Sequence, residues 1–354
     1  MKINKKQDTT NVVNNRTFKS RPLLLALLSL ICMTGLLAPA GIAQTAETVS
    51  ISLHWQHQSQ FAGYYMALAK GFYAQEGLDV RILRGGPDVR VGELLGSGKA
   101  DFTTFMLSSA MEEHAKGLPL VHLTQVVNRS NFLLVAWRNP AEGVSIDKLS
   151  DLNGCNVAVW LQDFRAPYLA FFASKGVSPI ILPQYYTLSL FLHKGVAACS
   201  AMRYNEYHTL LQNGVLDADV RVFSLHELGI RLPEDGIYCL DKTWKQRPET
   251  CRKFVRASLK GWVYARDHDE ETLNEVMTYV RKENLPTNRM HMAWMLREIL
   301  ASIFPAKGDD WGFGGLSRAT YDGAREMLIR YGGLKTAPPY DDFVTEKEIH
   351  DKRP

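Results

Sequence analysis

Apolar side chains at every second position, Val49, Ile51 and Leu53, predict a strand, and the small and aromatic run over 61–73 predicts a buried helix. Gly77 stands where a helix C-terminal cap belongs, and Leu78, Val80 and Ile82 restart the two-residue period. Strand, helix and strand in direct succession make a βαβ unit. The polar stretch 54–60 therefore lies at the carboxyl end of a strand, where open α/β sheets bind ligands. Trp55, Gln56, Gln58 and Gln60 place one indole and three amides there with no charge among them, a set suited to a flat polar small molecule rather than a phosphate.

The pattern continues with a helix at 89–95, a short strand ending at Thr103 and Thr104, a second candidate site loop over 103–109, a helix at 108–115, and strands at 118–127 and 132–137. Arg138 and Asn139, followed by Pro140 and Gly143, mark an exit from the first lobe. The same grammar then repeats: strand 155–160, helix 166–174, strand 180–185, helix 188–194, strand 196–202, helix 204–213 and strand 220–225. After a strand at 237–240 the chain turns helical through 248–268, 270–282, 289–304 and 317–331. Two α/β sets in series followed by helices predict a two-lobed α/β protein. The expected division is 47–138 plus 237–334 for one lobe and 139–236 for the other, with a polar, aperiodic tail over 335–354.

Six bases (Lys2, Lys5, Lys6, Arg16, Lys19 and Arg21), an apolar run over 23–37 and small residues around Ala38, Ala40, Gly41 and Ala43 predict a secretory signal peptide over 1–43, and so a periplasmic protein. Ile31 before Cys32 disfavours a lipid anchor. The chain has 41 Lys and Arg against 37 Asp and Glu, but without residues 1–43 the balance is 35 against 36, which leaves a nucleic-acid partner without electrostatic support. Cys155, Cys199, Cys239 and Cys251 show no CxxC spacing. They allow three disulfide pairings in an oxidising compartment, and buried free thiols are the simpler alternative. His54 and His57 share a loop without a carboxylate or cysteine to complete a metal site, and no G-x-S-x-G, P-loop or HExxH is present.

Several stretches together resemble one family: FAGYYMALAKGFYAQEGLDV at 61–80, GSGKADF at 96–102, LSDLNGCNVAV at 149–159, YNEY at 204–207, ETCRKFVRASLKGWVYA at 249–265, and YGGL with YDDFVTEKEI at 331–349. They look like the periplasmic substrate-binding proteins for thiamine pyrimidine precursors, whose superfamily includes the thiamine pyrimidine synthases and, more distantly, sulfonate, taurine and nitrate binding proteins. The resemblance implies a type II periplasmic binding fold: two lobes, each a mixed sheet flanked by helices, with ligand in the cleft between them. It also implies a monomer that delivers the ligand to an ABC permease, with no cofactor. The ligand residues it implies are Trp55, Gln60, Thr104 and Phe105 from one lobe and Trp160, Asp163, Tyr204, Asn205 and Glu206 from the other. In this reading Trp55 with Trp160 or Tyr204 covers the ring, Glu206 and Asp163 take an amino group, and Gln60, Thr104 and Asn205 orient its edge.

Some of these residues also have a local alternative, Trp55 as a cap of the hydrophobic core among them. The Thr103–Thr104 hydroxyls and Asp163 suit helix caps, and Glu206 suits the first turn of a helix. The enzymatic branch is a poor match. Phe105 and Ser109 stand where a cofactor lysine and a histidine are expected, and Pro233–Cys239 replaces a cysteine-rich segment, keeping Cys239 alone. Other solutes (flavins, sulfonates, taurine) and a sensory receptor in place of a permease need the same cleft.

Overall fold

The computed structural model describes residues 45–139, 145–161, 164–306 and 312–345, and the expected signal segment lies outside them. The strands are β1 (Glu47–Ser52), β2 (Leu78–Leu83), β3 (Phe102–Met106), β4 (Leu120–Gln125), β5 (Phe132–Trp137), β6 (Asn156–Trp160), β7 (Ile180–Gln184), β8 (Ala198–Met202), β9 (Val220–Ser224) and β10 (Asp235–Leu240). They form two mixed sheets of five with the same plan, ordered β2-β1-β3-β10-β4 and β7-β6-β8-β5-β9. In each, three parallel strands meet an antiparallel fourth that arrives from the other half of the chain. This is the two-sheet α/β architecture the sequence pattern implies.

The exchange of β5 and β10 sends two crossing segments side by side between the sheets. Val126 and Val127 both donate to the Asp235 carbonyl at 2.9 Å, and Glu234 N–H donates to the Val127 carbonyl at 2.9 Å. The strand Phe132–Trp137, placed with the first lobe by its position in the chain, is hydrogen-bonded between β8 and β9 in the second sheet. The crossing accordingly lies before it rather than at Arg138. The helix Arg318–Tyr331 likewise packs on the second sheet's helix Arg165–Lys175. Nor is the tail from 335 wholly free, since Tyr340 and Phe343 are buried and Val344 bridges to His122 beside β4.

The buried run over 61–73 is two helices, Ala62–Ala69 and Phe72–Gln75, because Gly71 takes a left-handed φ of 68° that ends the first. Gly63 allows the first helix to meet Pro248–Asp267, as a Cβ there would lie 2.2 Å from the Trp262 ring. Among the described residues Cys155, Cys199, Cys239 and Cys251 are buried free thiols. The register partner of Cys199 is Ala158, not Cys155, which precludes a bridge between these neighbouring strands.

Candidate functional site

At the carboxyl end of β1 the chain forms a tight polar cluster. The His54 backbone N–H donates to Thr104 Oγ1 at 3.0 Å, and its ring Nδ1 lies 2.8 Å from the same oxygen. Gln60 Nε2 donates to Asp235 Oδ2 at 2.9 Å, and His54 Nε2 stands 3.6 Å from Asp235 Oδ1. Because β10 runs antiparallel to β3, its first residues lie beside the last residues of β3, with Asp235 opposite Met106. Burial pushes the Asp235 carboxyl up to about 7 and that of Glu234 up to about 8. Glu234 is fully buried and accepts from the Asn131 backbone N–H and, at 3.0 Å, from Asn131 Nδ2, joining the two crossing segments through one carboxylate.

The second sheet presents Tyr204, Asn205 and Glu206 directly after β8. Glu206 opens the helix Glu206–Gln212; its Oε2 accepts from Met202 N–H and its Oε1 from Asn205 Nδ2, each at 2.9 Å. Burial raises this carboxyl to about 7 despite those donors. Tyr204 is buried, and its phenol is raised by that burial and by the nearby charges of Glu234, Asp235 and Glu206. Rings from both sheets meet at the strand ends. Trp55 after β1 lies 5.6 Å from Tyr186 after β7 and 6.2 Å, edge-on, from Phe164 after β6. Phe164 in turn meets Trp160 at 5.9 Å.

The expected residues therefore divide. Trp55 and Trp160 are half-buried in the aromatic group between the sheets, and Tyr204, Asn205 and Glu206 form the turn that follows β8, the strand beside β6. Gln60 and Thr104 are fully enclosed, their polar atoms already used by Asp235 and His54. The expected loop at 103–109 does not exist, since β3 runs to Met106 and a helix begins at Leu107. Phe105 is consequently a core residue, 4% exposed and edge-on to Tyr238, on the face of β3 opposite Thr104. Asp163 lies outside the described residues. Sequence reading missed Phe164, Tyr186, His54 and the Glu234–Asp235 pair. Two adjacent acids opening an apolar strand were a visible signal for the last.

A surface recess beside His57, Arg84, Lys99 and Tyr279 lies at the outer edge of the first sheet and includes none of the expected residues. Among the described residues no group of three His, Cys, Asp or Glu is placed to hold a metal, and no helix is long and apolar enough to cross a membrane.

The chain is 26% identical to the riboflavin-binding protein RibY of Chloroflexus aurantiacus over 315 residues, 85% of this chain and 86% of that one. It is 24% identical to the formylaminopyrimidine-binding protein of Halalkalibacterium halodurans over 281 residues, 77% and 82% of the two. The periplasmic aliphatic sulphonate binding protein SsuA of Escherichia coli has the same fold, with a TM-score of 0.62 at 14% identity over 82% of this chain and 89% of that one. Its architecture is that of the periplasmic binding proteins. Residues 58–272 match the NMT1/THI5-like family, more than half of the chain, and the protein is therefore a member of that family.

Proposed function

We propose that this chain is an exported solute-binding protein that captures a small amino-heterocycle of the thiamine-precursor kind and passes it to an ABC importer. The observation that carries the reading is the meeting, at strand ends of two sheets, of Trp55, Trp160, Phe164 and Tyr186; Glu206, a half-buried carboxylate, follows β8, the neighbour of the strand that ends at Trp160. Rings on either side suit a planar heterocycle, and a carboxylate accepts from its exocyclic amine. The similarity to a formylaminopyrimidine-binding protein supports the same class. Ligand contacts to both lobes would favour their closed arrangement about the two crossing segments. The absence of a lysine and a histidine at Phe105 and Ser109 favours capture over catalysis.

The similarity to a riboflavin-binding protein favours one second reading, a flavin held by the same rings. A thermal-shift panel of N-formyl-4-amino-5-aminomethyl-2-methylpyrimidine, riboflavin and an alkanesulfonate, followed by calorimetry, decides between them. The pyrimidine is expected to raise the melting temperature by several degrees, on the order of what binding at a hundredfold excess over Kd gives. A shift with the sulfonate alone rejects the reading, because an anion has no favourable partner in Glu206.

A further inference from the structure

The turn carrying Glu206 is gripped by a helix anchored at the end of the other sheet. In the helix Arg289–Ile303, the Met292 carbonyl accepts from Ser59 Oγ at 2.7 Å, beside the first sheet, and Trp294 Nε1 donates to the Arg203 carbonyl at 3.0 Å, beside the second. Between these anchors His208 and His291 place their Nδ1 atoms 2.8 Å apart, with ring planes at 17° and the His208 ring stacked 4.6 Å from Trp294. His291 Nε2 lies 2.8 Å from Asn205 Oδ1, and Asn205 Nδ2 donates to Glu206 Oε1.

One proton arrangement satisfies every member. Asn205 Oδ1 can only accept, so His291 Nε2 carries the hydrogen, and His291 Nδ1 is then an acceptor for His208 Nδ1–H. A directed chain of donors runs from His208 through His291 and Asn205 to the Glu206 carboxylate. We propose that His208 and His291 form a clasp between the two lobes that positions Glu206 for ligand and lets go in acid, a role that rests on the reading of Glu206 as the ligand carboxylate.

Protonating His208 leaves the chain intact, because its Nδ1–H still points at His291. A proton on His291 alone is still accepted by Nδ1 of a neutral His208 that carries its hydrogen on Nε2, so two N–H donors meet head-on and break the link only when both rings are protonated. Burial, and then His208, lowers His291 from 6.5 to about 4, and burial with the Arg297 charge lowers His208. A histidine depressed in the closed clasp favours closure fully above 6.5, and that contribution is lost as pH falls from 6.5 towards 4.

The titratable and charged groups on the two elements that carry the pair are Arg203, Glu206 and Tyr207 on the turn and its helix, and Arg289, Arg297 and Glu298 on Arg289–Ile303, of which Arg297 acts on His208. On the adjoining helix Asp269–Lys282, Glu270 is engaged by Arg289 at 2.6 Å. Glu206, raised to about 7 by burial, acts in the opposite sense, since acid favours its enclosed form.

Nitroxides on cysteines introduced by Leu216→Cys and Lys245→Cys, with Cys32→Ser in the background, report the spacing of the sheets by pulsed electron resonance, Cys155, Cys199, Cys239 and Cys251 being buried. In the unliganded full chain, acidification from pH 7.5 to 4.5 is expected to shift the population from the short to the long distance by roughly tenfold or more. His291→Gln keeps an N–H for Asn205 and an oxygen for His208 without titrating, and should hold the short distance throughout. His208→Phe keeps the stack on Trp294 but lacks the donor, and should show the long distance at pH 7.5. Circular dichroism melts confirm that each variant is folded. A wild-type distance indifferent to pH, an acid opening retained in His291→Gln, or closing in acid would overturn the clasp. Adding N-formyl-4-amino-5-aminomethyl-2-methylpyrimidine separates the two claims. Acid opening without binding of this probe leaves the clasp standing and removes the ligand, whereas binding with a pH-independent spacing does the reverse.

Discussion

The ends of β3 and β8 read alike in the sequence, each a strand with polar residues at its carboxyl end and then a helix, yet they have opposite fates. At β3 the helix begins immediately at Leu107, and the hydroxyls turn inward: Thr103 Oγ1 donates to the Ser52 carbonyl and Thr104 Oγ1 serves His54. At β8 three residues intervene before the helix at Glu206, which leaves room for a half-buried carboxylate held by two donors at the strand end. A polar residue at a strand end is available to a ligand only when the connection is long enough that the fold does not consume it.

The largest test of this contrast lies at β8. Glu206→Gln should weaken binding of the pyrimidine by about 30-fold, or about 2 kcal/mol, the scale of a charge-assisted hydrogen bond. Calorimetry giving an unchanged Kd would remove Glu206 from recognition. At β3 the expected outcome is reversed. Thr104→Val takes away the acceptor used by the buried His54 N–H and should cost about 1 to 2 kcal/mol of stability in denaturant melts, with ligand affinity kept within about threefold. Lost affinity without lost stability would mean that β3 also serves the ligand.

The smallest expected effect concerns pH. Glu234, Asp235 and Glu206 titrate near 8, 7 and 7 in the fold, above their ordinary 4.5, 3.8 and 4.5. The native state therefore binds more protons than the unfolded chain, and stability declines as pH rises through this range. Above about pH 7.5 the buried histidines are neutral in both states and do not oppose it, whereas nearer pH 6.5 their protonation in the unfolded chain offsets part of the decline. The melting temperature should fall by about 2 to 6 °C across that interval, and less in Glu234→Gln. A flat profile would show that these carboxylates are better solvated than their burial implies.

Much of the fold was legible from hydrophobic spacing. Alternation at Val49, Ile51 and Leu53 and the cap at Gly77 reflect local backbone geometry, which a chain segment carries with it. The exchange of β5 and β10 was not legible, because an all-buried strand such as Phe132–Trp137 reads the same in either sheet and only its hydrogen-bond partners decide. The positions of Trp55 and Glu206 after strands were legible, since each follows an apolar run that the structure forms as β1 and β8. Asp235 was missed because it starts an antiparallel strand, so its proximity to His54 and Gln60 depends on pairing across more than a hundred residues.

The sequence alone determined the succession of strands and helices and the residue types at their ends, since periodicity, caps and turn chemistry act over a few residues. Tertiary structure alone decided which ends meet. It buried Phe105, spent Thr104 and Gln60 inside the first sheet, and set His208 against His291, because burial and hydrogen-bond partnership are properties of packed neighbours rather than of the chain.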